Sequence, residues 1–151
     1  MNSEILNKKL QQYCAYQERC TKEIISKLKD WNLKESQIEM VIASLKKENI
    51  LNEERFARAY ARGKFRVNKW GRQKIGFELQ LKSLPDTFVK AGLSEIDEEE
   101  YLRVLKALIL KKKEELEKEK TGSIRDKLIT FVQNKGYELP LIFEILKENK
   151  I

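Results

Sequence analysis

Five apolar positions at fixed spacings occur three times in this sequence, and this repeat constrains the fold more than any other feature. Within each copy the successive positions are separated by four, five, five and four residues. The three copies are Ile24, Leu28, Leu33, Ile38 and Ile42; Ile75, Leu79, Leu84, Val89 and Leu93; and Leu128, Val132, Tyr137, Ile142 and Leu146. Because corresponding positions are offset by 51 and 53 residues, we predict one unit of roughly fifty residues repeated three times.

The spacings within each copy indicate two amphipathic helices joined by a tight turn. Steps of four place side chains on one face of a helix, and the steps of five cross a short break. The third copy shows the break most clearly, because Gly136 is placed to end one helix and Pro140 lies near the start of the next. Only two prolines and six glycines occur in 151 residues, so long helices can run uninterrupted. The sequence therefore predicts an all-α fold.

A further helical segment precedes each pair, so we expect three helices in each unit. These segments are marked by apolar residues at steps of three or four: Leu6, Leu10 and Tyr13; Phe56 and Tyr60; Tyr101, Leu105 and Leu108. We predict units at residues 1–50, 51–95 and 96–151. A single unit of this size buries little apolar surface, so neighbouring units must share surface in an elongated array.

Acidic first turns mark the starts of two of these preceding helices. Asn52 stands before two glutamates and Asp97 before three, and both patterns satisfy free backbone amides and complement the helix dipole. The third unit is predicted to begin with a long helix over residues 98–119. Because residues 111–120 are almost entirely charged, we expect that end of the helix to project into solvent.

Composition excludes several classes of protein. No apolar run approaches the length of a membrane span and the first ten residues are polar, so we expect a soluble cytoplasmic protein with no membrane partner. Cys14 and Cys20 are six residues apart and would point to different faces if they shared a helix, and no histidine is present, so we predict neither a disulfide nor a metal site. Without histidine, glycine-rich phosphate loop or paired nucleophile and base, we expect no enzyme and no cofactor. We also expect a monomer.

The positive charge of the chain is concentrated in the predicted middle unit. The net charge is +7, and residues 55–74 hold eight basic residues and no acidic one, whereas residues 95–100 hold five acids. We predict that these eight cations form a surface for nucleic acid or for a nucleoprotein filament: Arg55, Arg58, Arg62, Lys64, Arg66, Lys69, Arg72 and Lys74. Clustered cations bind phosphates, and arginine also bridges protein carboxylates, so both partners remain open.

The aromatic residues of this stretch divide into two groups. Phe56 and Tyr60 lie four residues apart on a different face from Arg55, Arg58 and Arg62 and are predicted to belong to the core. Trp70 lies in a predicted loop, where it either stacks on a base or fills a gap between units, and we favour the second interpretation.

Several segments resemble the RecX family, whose members regulate the bacterial RecA recombinase. Residues 51–57 (Leu-Asn-Glu-Glu-Arg-Phe-Ala) resemble the family's Leu-Asp-Asp-x-Arg-Phe-Ala signature, and residues 71–79 resemble its Gly-Pro-x-x-Ile-x-x-x-Leu segment. Residues 19–24 are similar to its Arg-Ser-x-x-Glu-Leu element, and residues 127–137 to its closing Arg-Gly-Phe stretch. The family pattern is altered at positions where helices begin or turn: Asn52, Glu53, Arg72, Cys20 and Ser83.

The resemblance implies a curved array of three three-helix units. It implies a non-enzymatic protein that binds RecA and its filament on single-stranded DNA and modulates recombinase activity, with inhibition as the expected sign. DNA repair and recombination in the SOS response would be its setting. The alternative is a helical repeat protein that binds nucleic acid directly through its basic middle unit, with the helix pairs acting like helix-turn-helix elements.

Overall fold

A computed structural model describes residues 2–119 and 122–151 of the chain, and within these ranges the regular structure is entirely helical. The prediction of an all-α repeat fold is therefore confirmed. The helices are α1 (Ser3–Tyr16), α2 (Thr21–Asp30), α3 (Glu35–Lys47), α4 (Glu53–Arg66), α5 (Arg72–Leu81), α6 (Asp86–Leu93), α7 (Glu98–Glu119), α8 (Ile124–Asn134) and α9 (Leu139–Glu148). They fall in threes within the three predicted residue ranges, and the division into units at those boundaries stays a prediction; the first, second and third units below denote α1–α3, α4–α6 and α7–α9 with their adjoining turns.

Side-chain caps fix where several helices begin. The Asn52 side chain accepts a hydrogen bond from the Arg55 amide at 3.0 Å, and the Asp97 carboxylate accepts one from the Glu100 amide at 3.0 Å. Both caps satisfy amides that have no partner within the helix. The predicted starts of α4 and α7 are thus confirmed.

The break within each apolar repeat is the same helix-ending turn in all three copies. In the first copy the Leu33 amide donates to the Leu28 carbonyl at 3.1 Å, and the Asn32 amide donates to the Lys29 carbonyl at 2.9 Å. This pair of bonds defines a Schellman motif, which requires a left-handed residue. The left-handed residues of the three copies occupy one repeat position, and they are Asn32 (φ 62°), Ser83 (φ 64°) and Gly136 (φ 103°). The first of the two five-residue steps in each copy therefore joins the two residues whose carbonyl and amide close this motif.

All fifteen repeat positions are buried or half-buried, and they contribute to two hydrophobic clusters. One cluster lies in α1–α3 and extends to Leu51 just before α4, and its members in the helices are Leu10, Ile24, Leu28, Ile38 and Leu45. The other runs continuously through α4–α9. The first unit therefore has its own core, whereas the second and third units share one.

Polar contacts predominate where the first unit meets the second. The Thr21 amide donates to the Glu53 carboxylate at 3.2 Å, and the Lys82 ammonium lies 3.4 Å from the Glu23 carboxylate. Cys20, just before α2, is buried in the cluster of the second unit. Partly exposed ion pairs each contribute little to the free energy of unfolding, and salt screens their attraction.

The second and third units meet at two glycines. The Gly71 amide donates to the Lys135 carbonyl at 2.7 Å, and the Gln73 amide donates to the Gly136 carbonyl at 3.0 Å. A Cβ atom added to Gly71 would lie 2.3 Å from the carbonyl carbon of Gly136, so only glycine fits there. The turn between α4 and α5 is therefore joined directly, backbone to backbone, to the turn between α8 and α9.

The accessible surface of 9775 Å² indicates an elongated molecule. A compact monomer of this mass would expose ~8,000 Å². Within the described residues, no helix is both long enough and apolar enough to cross a membrane.

The end of α7 differs from the sequence expectation. Leu116 is buried, and the Lys112 ammonium lies 4.9 Å from the centre of the Phe131 ring on α8. The expectation that the charged turns project into solvent is therefore wrong for the part of α7 that ends at Leu116. There, Leu116 and the apolar stems of the lysines cover α8. Lys120, the last residue of that predicted segment, lies outside the described residues.

The glycine contact between the second and third units can be tested by adding single methyl groups. Gly136→Ala adds a Cβ atom 2.4 Å from the Lys74 Cβ atom at a residue with φ of 103°, so we expect a loss of about 3 kcal/mol in the free energy of unfolding. Gly71→Ala should cost a similar amount. Urea denaturation followed by circular dichroism measures both losses.

Gly63→Ala is the matched control, because this glycine lies within α4 and an added Cβ atom meets nothing within 4 Å. This variant should be more stable than the parent by about 0.5–1 kcal/mol. If Gly71→Ala and Gly136→Ala were as stable as Gly63→Ala, the backbone contact would not hold the two units together.

Candidate functional site

Arg55, the first predicted site residue, joins the first and second units. Its Nε atom donates to both carboxylate oxygens of Glu18, at 2.6 and 2.7 Å. Its Nη2 atom donates to the carbonyl oxygens of Asn49 and Ile50, at 2.9 and 3.0 Å. Because its donors are turned toward the protein, Arg55 acts mainly in positioning α4.

Arg58 and Arg62 lie on the same face of α4 as Arg55, as the spacing predicts, but both point toward one carboxylate. Glu95, which follows α6, lies 3.7 Å from Arg58 and 2.6 Å from Arg62. Glu54 also lies 3.8 Å from Arg58. Both arginine side chains remain partly exposed, so they can still contact a partner, but part of their charge is neutralised.

Arg72 is held between the second and third units. Its guanidinium group lies 2.5 Å from Glu98 and 2.8 Å from Glu138, and it stacks 4.0 Å above the ring of Tyr101. Its backbone amide donates to the Tyr101 hydroxyl oxygen at 2.9 Å, and that hydroxyl donates to the Glu138 carboxylate. Burial raises the pKa of Tyr101 well above its usual value, and the hydrogen bond to Glu138 adds to the effect. Arg72, Glu98, Tyr101 and Glu138 therefore hold the second and third units together, and we call this group the Arg72 clamp.

The other predicted cations collect around Trp70. The ammonium groups of Lys64 and Lys74 lie 4.8 and 4.5 Å from the centre of its ring, distances at which a cation is attracted to an aromatic face. Trp70 is half-buried against the shared core, with its ring edge-on to Tyr60 at 6.5 Å. The ring thus packs between elements and also supports two cations.

The turn that carries Trp70 presents further positive charge. Lys69 has a left-handed backbone (φ 59°), and its carbonyl oxygen accepts a hydrogen bond from the Tyr137 hydroxyl at 2.9 Å. Arg66 and Lys69 are exposed. Lys135, from the turn after α8, donates to the Asn68 carbonyl at 3.3 Å and so brings a cation from the third unit to the same place.

We call this set the Trp70 surface, and it comprises Lys64, Arg66, Lys69, Trp70, Lys74 and Lys135. Within residues 2–119 and 122–151, none of its five cations forms an ion pair with a carboxylate. Cations without carboxylate partners are available to neutralise phosphates or acidic side chains of a partner. The predicted set of eight therefore separates into Arg55, Arg58, Arg62 and Arg72, which have internal acidic partners, and four that do not.

Lys135 belongs to the surface but lies outside the basic run, and the sequence analysis missed it. One feature of the sequence places Lys135 in a turn, because it directly precedes Gly136, the predicted end of a helix. Only the contact between the two turns shows that this position adjoins Trp70.

An open groove of about 470 Å³ lies beside the Trp70 surface, between the first and second units. Tyr60 lines it, together with Glu23, Lys64, Val67 and Lys82. Burial raises the pKa of Tyr60 to about 12, with smaller contributions from Glu78 and Glu23. The predicted core role of Phe56 is confirmed, whereas Tyr60 is only half-buried and faces this groove.

Comparison with known proteins gives one consistent family. The family model described as "RecX, second three-helix domain" matches residues 52–93. Regulatory protein RecX of Clostridium acetobutylicum is 34% identical over 131 residues, which is 84% of this chain and 60% of that protein. Regulatory protein RecX of Prosthecochloris aestuarii is 32% identical over 136 residues, covering 90% of this chain and 87% of the relative. The Bacillus cereus protein of the same name is 29% identical, and the chain spans 56% of its length.

Solved structures show the same fold. A crystal structure of regulatory protein RecX superposes with a TM-score of 0.82 and 20% identity, covering 93% of this chain and 70% of that one. The crystal structure of RecX from Lactobacillus salivarius superposes with a TM-score of 0.79 and 22% identity, covering 91% and 90% of the two chains. At these identities the likeness establishes the fold.

The clamp at Arg72 predicts that this residue acts on stability. Arg72→Gln leaves Glu98 and Glu138 without their cation, so we expect the free energy of unfolding to fall by about 1–3 kcal/mol. Arg66→Gln removes the same charge from an exposed position and should change stability by less than about 0.5 kcal/mol. Urea denaturation of both variants at one pH provides the comparison, and equal stability would argue against the clamp.

The raised pKa of Tyr60 predicts that the protein loses stability at alkaline pH. Its pKa in the folded protein is about 12 against an ordinary value of 10.0, so its contribution is complete below pH 10 and declines as the pH rises toward 12. The decline is at most about 1.4 kcal/mol per pH unit for this one group. Tyr60→Phe should therefore show a shallower loss than the parent between pH 10 and 11.5 in urea titrations. A slope unchanged by the substitution would contradict this assignment.

Proposed function

Since this chain belongs to the RecX family of regulatory proteins, we propose that it regulates the RecA recombinase. It binds RecA, chiefly as the filament that RecA forms on single-stranded DNA, and lowers recombinase activity. It acts by binding, without catalysing a reaction itself.

The observation that carries this proposal is the Trp70 surface on an elongated helical repeat. A filament offers a long, repetitive surface, and an elongated array can contact more than one protomer of it. The five cations without carboxylate partners supply electrostatic attraction to acidic side chains or to DNA phosphates. The repeat sets the length of the contact, and the Trp70 surface places the charge within it.

A second candidate function is direct binding of nucleic acid, and the composition of the same surface favours it. Lysines beside an aromatic ring are typical of proteins that grip phosphates while a base contacts the ring. Such binding would require no recombinase and would weaken steeply with salt. The first function requires RecA and the second does not, so one series of measurements separates them.

The proposed function predicts a change in the ATP hydrolysis of RecA. Adding the purified chain to a homologous RecA on single-stranded DNA should slow ATP turnover in a concentration-dependent manner. Lys64→Gln combined with Lys74→Gln removes two charges from the Trp70 surface and should raise the concentration for half effect about tenfold, equivalent to ~1.4 kcal/mol. The matched control is Lys46→Gln with Lys47→Gln on α3, which removes two exposed charges away from that surface.

The control should inhibit like the parent. No effect of the parent chain on RecA over a wide concentration range would overturn the proposal. Tight, salt-sensitive binding of free single-stranded DNA, with RecA turnover slowed only in proportion to the DNA removed, would favour the second candidate.

A further inference from the structure

A second basic and aromatic surface lies on the first unit, where α1 and α2 meet. There an open depression of about 500 Å³ is lined by Lys9, Gln12, Tyr13, Arg19, Lys27 and Trp31. Its lining holds three cations, two aromatic rings and one amide, and no carboxylate. We call it the Trp31 surface.

The cations of this surface lie over its rings. The Arg19 guanidinium is 3.8 Å from the centre of the Tyr13 ring, and Lys27 is 5.4 Å from Tyr13 and 5.8 Å from Trp31. Lys9 lies 5.4 Å from the Trp31 ring. Lys27 and Trp31 are four positions apart, as neighbours on one helix face are, whereas the contacts of Lys9 with Trp31 and of Lys27 with Tyr13 join one helix to the other.

No carboxylate in the described part of the chain pairs with the cations of this surface. Among the described residues, none of Lys9, Arg19 and Lys27 forms an ion pair with a carboxylate, and the Arg19 Nε atom donates to the Tyr13 carbonyl at 3.0 Å. Glu23 and Asp30 lie in the adjoining depression, and Glu23 is engaged by Lys82. The Trp31 surface thus differs from Arg55, Arg58 and Arg62, which have carboxylate partners.

An exposed aromatic ring extends this surface. Tyr16, at the end of α1, is 82% exposed, and its ring centre lies 5.8 Å from the Arg19 guanidinium. An aromatic ring that is so exposed adds little to the stability of the core, because little of its apolar surface is removed from water. Beside an arginine, however, it offers a flat face on which a planar group can stack.

We propose that the Trp31 surface binds a segment of single-stranded nucleic acid. Lys9, Arg19 and Lys27 contact the phosphates, and an unstacked base lies against Tyr16 or the accessible part of Trp31. Rings beside cations favour this partner over an acidic polypeptide, which would use the charges alone, and over duplex DNA, whose bases are already stacked on each other. The inference goes beyond the proposed function, because it concerns a different unit and requires no RecA.

The two tryptophans of the chain allow the two surfaces to be monitored separately. Trp70→Phe leaves Trp31 as the sole tryptophan, and Trp31→Phe leaves Trp70. Adding oligothymidylate of about 20 nucleotides to the Trp70→Phe chain at low salt should quench Trp31 fluorescence, and added salt should reverse the quenching. Fluorescence anisotropy of labelled oligothymidylate with the unsubstituted chain measures the total binding at both surfaces without altering either tryptophan.

Charge variants then locate the contact. Lys9→Gln with Lys27→Gln should weaken binding about tenfold and reduce the slope of log affinity against log salt by about 1.4, or about 0.7 for each phosphate contact. Tyr16→Ala should weaken it about fivefold or more. The matched control is Lys8→Gln with Lys29→Gln, which removes two exposed charges from the same helices outside the depression.

Several results would overturn the inference. These are equal losses in the lysine pair and its control, equal affinity for duplex and single-stranded oligonucleotides, absence of Trp31 quenching, or displacement of oligothymidylate by polyglutamate at equal charge concentration. The measurements contain no RecA, so a failure of the proposed regulatory function would leave their outcome unchanged. Conversely, if the unsubstituted chain inhibited RecA but did not bind the oligonucleotide, that result would refute this inference alone.

Discussion

The contact between Gly71 and Gly136 is the constraint on which the basic side of this protein depends. A Cβ atom on Gly71 would overlap the backbone of Gly136, and one on Gly136 would overlap Lys74 in the first turn of α5, so the two backbones approach as closely as glycine permits. This approach brings Lys135 to the turn that carries Trp70 and places Arg72 against Glu98 and Glu138. The same junction brings the Tyr101 and Tyr137 rings to 4.9 Å. One backbone contact thus determines both how the second and third units meet and the composition of the Trp70 surface.

The apolar repeat was sufficient to predict the fold because its spacing encodes a complete local structure. Four-residue steps follow helix faces, the first five-residue step is the helix-ending motif seen at Asn32, Ser83 and Gly136, and the second leads into the next helix. Glycine signals that turn in the sequence, but asparagine and serine do so weakly, so only the third turn was identified residue by residue. The repeated apolar position after each turn carried the information that the residue type lacked, since its amide and side chain complete the motif.

The candidate site was predicted less well, because charge is neutralised by residues distant in sequence. A window over residues 55–74 contains no acid, yet Glu18, Glu95 and Glu138 reach its arginines from 33 to 66 positions away. No local pattern predicts such pairs. The opposite error occurred in the first unit, where acids interleave with Lys9, Arg19 and Lys27 in the sequence but folding directs these cations to one depression. Charge composition along a chain therefore does not show which of its cations have acidic partners within the fold.

Two basic surfaces on separate units have a different physical consequence from one surface of the same total charge. Each proposed surface has few cations and would bind phosphates weakly on its own, with a modest dependence on salt. Held on one chain, they convert the second contact into an intramolecular event, so affinity for a long strand or filament rises without any new contact. A short oligonucleotide or a lone RecA protomer that engages one surface gains nothing from the other. The predominantly polar junction between the first and second units, with Arg55 bound to Glu18, would then matter for the proposed function, because it lies between the two surfaces. Discrimination in favour of filaments would in this way arise from the spacing of the repeat, with neither surface needing high affinity of its own.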